Sequence, residues 1–156
     1  MKNIFESLGN REILTLYKVG FLCSRKITSA AVLKCYDWAI EQRQKGRCVM
    51  TGFHSPLERE VCEILLKGDQ PVIIALARGI RQRMDPLLKK SIEEGRLLII
   101  SEFQNNVIRT TKESAFKRNE FLIQLADEIV IGHVSSGRSL QKLLLGNGNN
   151  KRVIYL

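Results

Sequence analysis

The sequence predicts an α/β fold of three layers, a mostly parallel sheet of about six strands with helices on both faces. Three observations predict it. Six short apolar runs recur along the 156 residues: Val19 to Cys23, Cys48 to Met50, Val72 to Ala77, Leu97 to Ile100, Ile129 to Ile131 and Val153 to Tyr155. None alternates cleanly with polar residues, which is what strands covered on both faces require. Stretches of helical period fill the gaps, and such alternation reads as parallel pairing through right-handed crossovers.

The elements follow in order. Residues 1–17 form a lead-in with helical character around Glu12 to Tyr17, expected to cover a sheet edge, and 18–156 form the core of one domain. Thr28 to Gln44 carries Ala31, Cys35, Trp38 and Ala39 at helical spacing, with Thr28 or Ser29 to cap it and Gly46 to end it. Trp38 on that apolar face is a core residue. Ser55-Pro56-Leu57-Glu58 opens the next helix. Ser55 suits the N-cap, Pro56 the first turn, and Glu58 completes a capping box. That helix presents Leu57, Val61, Ile64 and Leu65 and stops at Gly68. A third spans Asp85 to Glu94, closed by Gly95. A fourth runs from Lys112 to Ala126, burying Phe116, Phe121, Leu122 and Leu125, and a fifth from Ser136 to Leu145. Residues Gly146 to Asn150 read as a turn before the final strand.

Composition narrows the partners. Hydrophobic residues make up 44% and charged residues 26%, near the averages for soluble domains, so disorder, collagen and coiled coil are excluded. No apolar run approaches the ~20 residues that cross a bilayer. The first residues lack an export signal, so the expected compartment is the cytoplasm, with free thiols. Cys23, Cys35, Cys48 and Cys62 contain no Cys-x-x-Cys pair, so neither zinc nor another metal is expected. Cys23, beside Arg25, is the one placed for reactivity. Twenty-five Lys and Arg against sixteen acids give a net charge of +9, which favours an anionic partner.

In open parallel sheets ligands bind beyond the carboxyl ends of the strands. Those ends carry Ser24-Arg25-Lys26, Thr51-Gly52-Phe53-His54-Ser55, Arg78-Gly79-Ile80-Arg81, Ser101-Glu102-Phe103 and Gly132 to Arg138. Both histidines are among them. Helix N-termini with small residues accept phosphate, and arginine offers a matching fork. The expected ligand therefore bears phosphate. Phe53 and His54 are candidates to stack on a base. The sequence holds no Gly-x-Gly-x-x-Gly after the first strand, no P-loop and no Gly-x-Ser-x-Gly elbow, so no catalytic residue and no cofactor are assigned.

The order of these motifs resembles the DprA/Smf family, the DNA-processing proteins of natural transformation, over Val19 to Tyr155. Cys23-Ser24-Arg25 is similar to the family's Gly-Ser-Arg, and Thr51 to Glu58 to its Ser-Gly-Gly-Ala-Arg-Gly-Ile-Asp. Leu97 to Phe103 resembles its strand ending in Ser-Glu. Phe116-Lys117-Arg118-Asn119 resembles Phe-Pro-x-Arg-Asn-Arg, and Ser136-Gly137-Arg138-Ser139-Leu140 its Ser-Gly-Ser-Leu turn. The resemblance implies a Rossmann-like core, binding of single-stranded DNA through Arg25, Arg118 and nearby Lys117 and Asn119, and self-association as a homodimer; the family's recombinase partner is not carried over to this chain. Here Cys23 replaces the first glycine, and Ser55 and Glu58 replace the family's arginine and aspartate.

Two functions stay open on the sequence. One is a non-catalytic binder of single-stranded DNA or a nucleotide phosphate, with a backbone track over Arg25, Arg78, Arg81, Arg118 and Arg138. The other is a small-nucleotide sensor or nucleotide-hydrolysing enzyme, related to the phosphoribohydrolases that resemble lysine decarboxylases. Val134 to Leu143 contains no carboxylate to match the glutamate motif of those hydrolases, which leaves Glu58 or Glu102 as the available base.

Overall fold

The computed structural model describes residues 4–135, 139–147 and 151–156. The predicted strands form as β2 (Lys18–Leu22), β3 (Cys48–Thr51), β4 (Val72–Ala75), β5 (Leu97–Ser101), β6 (Glu128–Ile131) and β7 (Arg152–Tyr155). All six are parallel. A seventh, β1 (Glu6–Gly9), lies antiparallel against β5 at the edge. The lead-in thus covers the edge as a strand, and its helical part shortens to a 3-10 turn over Arg11–Thr15. The strand order is β1-β5-β4-β3-β2-β6-β7, so the chain reverses its direction of travel between β2 and β6.

The helices follow their caps. Thr28 accepts from Ala31 N at 3.1 Å and opens α1 (Ser29–Lys45), which ends on Gly46 in the left-handed region at φ 70°. Ser55 opens α2 (Pro56–Leu66) with the expected capping box, and Asp85 caps α3 (Pro86–Glu93). Thr111 and Ser114 cap α4 (Lys112–Leu125) reciprocally. The last helix, α5, spans Ser139–Asn147. It absorbs Gly146 and Asn147 from the expected turn. Residues 148–150 of that turn and Ser136, Gly137 and Arg138 lie outside the described residues.

Strand periodicity divides the core. Val19, Phe21, Val49, Ile74, Ile99 and Val130 face α1, α2 and α3. Their neighbours Leu22, Met50, Ile73, Leu98, Ile129 and Ile131 face α4 and α5. Each of these inner strands supplies apolar side chains to both layers, hence the unbroken apolar runs. Trp38 stacks on Phe21 inside the first layer, ring centroids 5.2 Å apart. Among the described residues no helix is long and apolar enough to cross a membrane.

Candidate functional site

Parallel strands joined by crossover helices place all their carboxyl ends on one edge. The helices return in the opposite sense, so the N-termini of α1 to α4 open on that edge too. Their aligned amides make it positive before any side chain is added.

The centre of the edge is the β3–α2 turn. Glu58 folds back from the first turn of α2. Its Oε1 accepts from Ser55 N at 2.8 Å and His54 N at 3.0 Å, and its Oε2 from Arg118 Nη2 at 3.1 Å. Arg118 also donates to Ala75 O at 3.1 Å and to Asn119 Oδ1 at 2.8 Å. Burial alone raises the Glu58 pKa, but the Arg118 charge and the two amides outweigh it and hold the carboxyl below its usual range. Gly52 sits against this pair. A Cβ there would overlap both Arg118 Nη1 and Glu58 Oε2. Arg118 is only 4% exposed, so the structure brings it under the rim and not onto it. Both oxygens of Glu58 are engaged as acceptors.

Above this buried pair lie the groups that reach solvent. The exposed Arg25 places Nη2 2.8 Å from His54 Nε2. A guanidinium can only donate, so Nε2 accepts and the imidazole proton resides on Nδ1. Burial first, then the charge of Arg25, lowers the His54 pKa. Beside it the half-buried Phe53 carries the Arg59 guanidinium over its ring, 4.7 Å from the centroid.

The loop after β4 supplies Arg78, Arg81 and Arg83. It is pinned to the loop after β5: Ser101 Oγ donates to Arg78 O at 2.6 Å, Gly79 N to Val107 O at 2.8 Å, and Arg81 Nη2 to Ile108 O at 2.7 Å. Gly79 is required there, because a Cβ would run into the Gln104 and Asn105 backbone. Burial, then the neighbouring charges of Arg81 and Arg59, pulls the Arg78 pKa down. Between Phe53, Arg59 and this loop lies a cleft of about 150 Å³ with Ile74, Leu76 and Leu88 among its apolar walls.

At the β2–β6 reversal the two loops are joined together. Ser24 N donates to His133 O at 2.8 Å, and Ser24 Oγ accepts from Ser135 N at 3.1 Å. Ser24 is buried, and its hydroxyl connects loops. Lys117 is exposed on α4, 3.9 Å from Glu113 Oε1. Cys35, Cys48 and Cys62 are buried free thiols, and burial pushes Cys48 up to about 12. Cys23 is half-buried, and its hydrogen bond with Cys35, then burial, raises its pKa, so it is not activated. Among the described residues no group of three or more His, Cys, Asp or Glu side chains is arranged to hold a metal ion.

The structure thus brings together Arg25, Gly52, Phe53, His54 and Ser55, with Arg78 and Arg81 across the cleft. Sequence reasoning missed Arg59 and Arg83. The signal for Arg83 was the Arg-x-x-Arg-x-Arg spacing of one strand-end loop. For Arg59 it was a position in the first turn of a helix that opens on the rim.

No family model matches the chain, and no curated relative does. Solved structures match the fold. DNA processing protein A from Helicobacter pylori, described for its single-stranded DNA binding mode, superposes with TM-score 0.74 at 18% identity, over 97% of this chain and 70% of that one. DNA processing protein A from Streptococcus pneumoniae gives TM-score 0.74 at 15% identity, over 97% of this chain and 54% of the other. The chain therefore spans about half the length of the pneumococcal protein. The molybdenum cofactor binding protein of Rippkaea orientalis is more distant, with TM-score 0.59 at 13% identity over 88% and 74%. The fold of this chain is the Rossmann-like core found in DNA processing protein A.

Proposed function

We propose that this chain is a non-catalytic binder of single-stranded DNA, held by its phosphates along the carboxyl edge of the sheet. The observation that carries this is the crowding of Arg59, Arg78 and Arg81 around one cleft, with Arg25 next along the rim. Burial and its like-charged neighbours disfavour the charged form of Arg78, and helix N-termini add more positive potential. Such an arrangement costs free energy unless an anion completes it. Arg118 acts here as a positioning residue, since it fixes Glu58 and thereby the amides of His54 and Ser55. The Helicobacter protein's single-stranded DNA binding supports the choice of anion. The engagement of Glu58 disfavours hydrolysis with that residue as base.

The test is binding of a labelled single-stranded oligonucleotide across a salt series, with AMP and ADP-ribose as competitors. Log affinity is expected to fall linearly with log salt, by ~0.7 per phosphate neutralised. Tight mononucleotide binding with little oligonucleotide affinity would instead select the small-nucleotide sensor.

A further inference from the structure

We propose that Cys23 and Cys35 form a redox site, a dithiol that a peroxide closes to a disulfide and a small thiol reopens, moving the loop that carries Ser24 and Arg25. This inference is independent of the single-stranded DNA reading, because the pair closes with or without a bound strand.

Three elements bring the sulfurs together. Cys23 follows β2, Cys35 lies on α1, and Gly132 follows β6, its N–H donating to Leu22 O at 2.9 Å. A Cβ on Gly132 would stand 2.6 Å from Cys35 Sγ and 3.2 Å from Cys23 Sγ. Both sulfurs therefore occupy the space that a side chain at this position would need. They are hydrogen-bonded to each other. Cys35 is fully buried and Cys23 half-buried, so the pair reaches solvent through Cys23. The other thiols are placed differently. Cys48 lies in the layer against α4 and α5, and Cys62 is buried on α2. Burial is the main cause that raises the pKa of both, whereas for Cys23 it is the bond to Cys35. Cys23 also opens the Cys23-Ser24-Arg25 element, where the similar motif carries glycine. The turn itself does not require a sulfur there.

The chemistry needs the pair and a peroxide. Cys23 is not activated on its own, but the hydrogen bond that raises it lowers Cys35, against the effect of burial. The pair thus supplies a thiolate and keeps its remaining proton between the sulfurs. The thiolate attacks one peroxide oxygen, the O–O bond breaks, and the departing hydroxide takes up the proton the thiolate had released, as water. The second sulfur then attacks the sulfenic acid so formed. The S–S bond forms, the S–O bond breaks, and the hydroxyl leaves as water with the second thiol's proton. The sulfurs lose the electron pair that the peroxide gains. Small thiols reverse the step by exchange and leave as their own disulfide. The effect spreads through the loop. Cys23 Sγ lies 3.4 Å from Ser24 O, Ser24 ties the loop to His133 and Ser135, and Arg25 meets His54. A covalent bond is shorter than a thiol–thiol contact, so closure draws Cys23 towards α1 and pulls on these bonds.

In the experiment the reduced full chain is treated with hydrogen peroxide, unfolded in the presence of an alkylating agent, and peptide-mapped without reduction. The four free thiols are expected to fall by half. A single cross-link should join the Cys23 and Cys35 peptides and disappear with dithiothreitol, while Cys48 and Cys62 are recovered as alkylated thiols. The amide NMR signals of Ser24 and Arg25 should shift on oxidation and return on reduction. Cys35→Ser should abolish both the cross-link and the reversible shift. Thermal unfolding verifies the variant, and should it not fold, the wild-type map decides alone. Recovery of Cys23 and Cys35 as free thiols after peroxide would overturn the inference. So would accumulation of sulfinic acid at Cys23, or a cross-link to Cys48 or Cys62. A Cys23–Cys35 cross-link that leaves Ser24 and Arg25 unshifted would overturn the coupling to the loop. No nucleic acid is present in any arm, so failure here leaves the DNA reading untouched.

Discussion

At the amino edge of the sheet the Lys151 ammonium donates to the carbonyls of Ile123, Gln124 and Ala126 at the end of α4. At the carboxyl edge Arg59, Arg78 and Arg81 crowd one cleft beside helix N-termini. The contrast extends across both edges. On the amino side Lys18 pairs with Asp127 at 3.3 Å, Arg47 with the buried Glu128, and Arg96 with Glu94 at 3.1 Å. Arg43 and Arg96 also donate to Ile64 O and Leu66 O at the end of α2. These cations neutralise acids and the negative ends of helices, as the helix dipole favours. On the carboxyl side Arg25 faces a neutral histidine, and Arg78 and Arg81 donate to backbone carbonyls. There the backbone is already positive, so each added cation raises the electrostatic cost. The same residue types thus complete the fold at one edge and crowd together at the other, where the proposed strand would lie.

The largest test concerns the carboxyl-edge cation that behaves like those of the amino edge. Glu58→Gln leaves Arg118 buried without its counter-charge and is expected to cost about 3–5 kcal/mol in urea unfolding. In the wild type the folded Glu58 pKa lies below its unfolded value. Its contribution is therefore complete above the ordinary carboxylate range near ~4.3 and is lost as pH falls through the folded value. Stability that rises on acidification through that window would refute this assignment. Next comes Gly52→Ala, which pushes a methyl into the same pair and should cost about 1–3 kcal/mol by thermal unfolding.

A matched pair sharpens the comparison itself. Arg25→Glu at the carboxyl edge is expected to weaken oligonucleotide binding at least tenfold, about 1.4 kcal/mol, with little change in stability. Arg47→Gln at the amino edge should do the reverse, costing about 1–3 kcal/mol of stability because Glu128 stays buried, with affinity intact. Equal affinity loss in both would remove the distinction between the edges. The smallest effect is in pH. Burial and Arg25 hold the His54 pKa low in the free protein, and a phosphate alongside raises it. Binding then takes up a proton, so affinity should strengthen as pH falls through the ordinary histidine range near ~6.5. With one proton taken up, the gain is at most about tenfold for each pH step of one, and His54→Gln should flatten the profile.

Much of this was legible in the chain. The caps at Thr28 and Ser55, the closing Gly95 and the apolar runs located α1 to α3 and the six parallel strands, because capping and strand burial are local. Strand β1 was not legible. Glu6-Ser7-Leu8-Gly9 is short and mostly exposed, and only the free edge of β5 makes it a strand. The site divides in the same way. Arg25, Phe53, His54, Arg78 and Arg81 could be placed on the rim because each follows a strand. Arg118 could not be distinguished from a surface arginine by any spacing.

The sequence by itself determined the order of strands and helices, and hence that basic residues collect beyond the strand ends. Periodicity, caps and turn residues act over a few positions and need no distant partner. Only the tertiary structure decided which cations are neutralised internally and which stand crowded on the carboxyl rim. That outcome depends on whether a carboxylate or a helix end arrives beside each one from far along the chain, as Glu58 does for Arg118 across sixty positions.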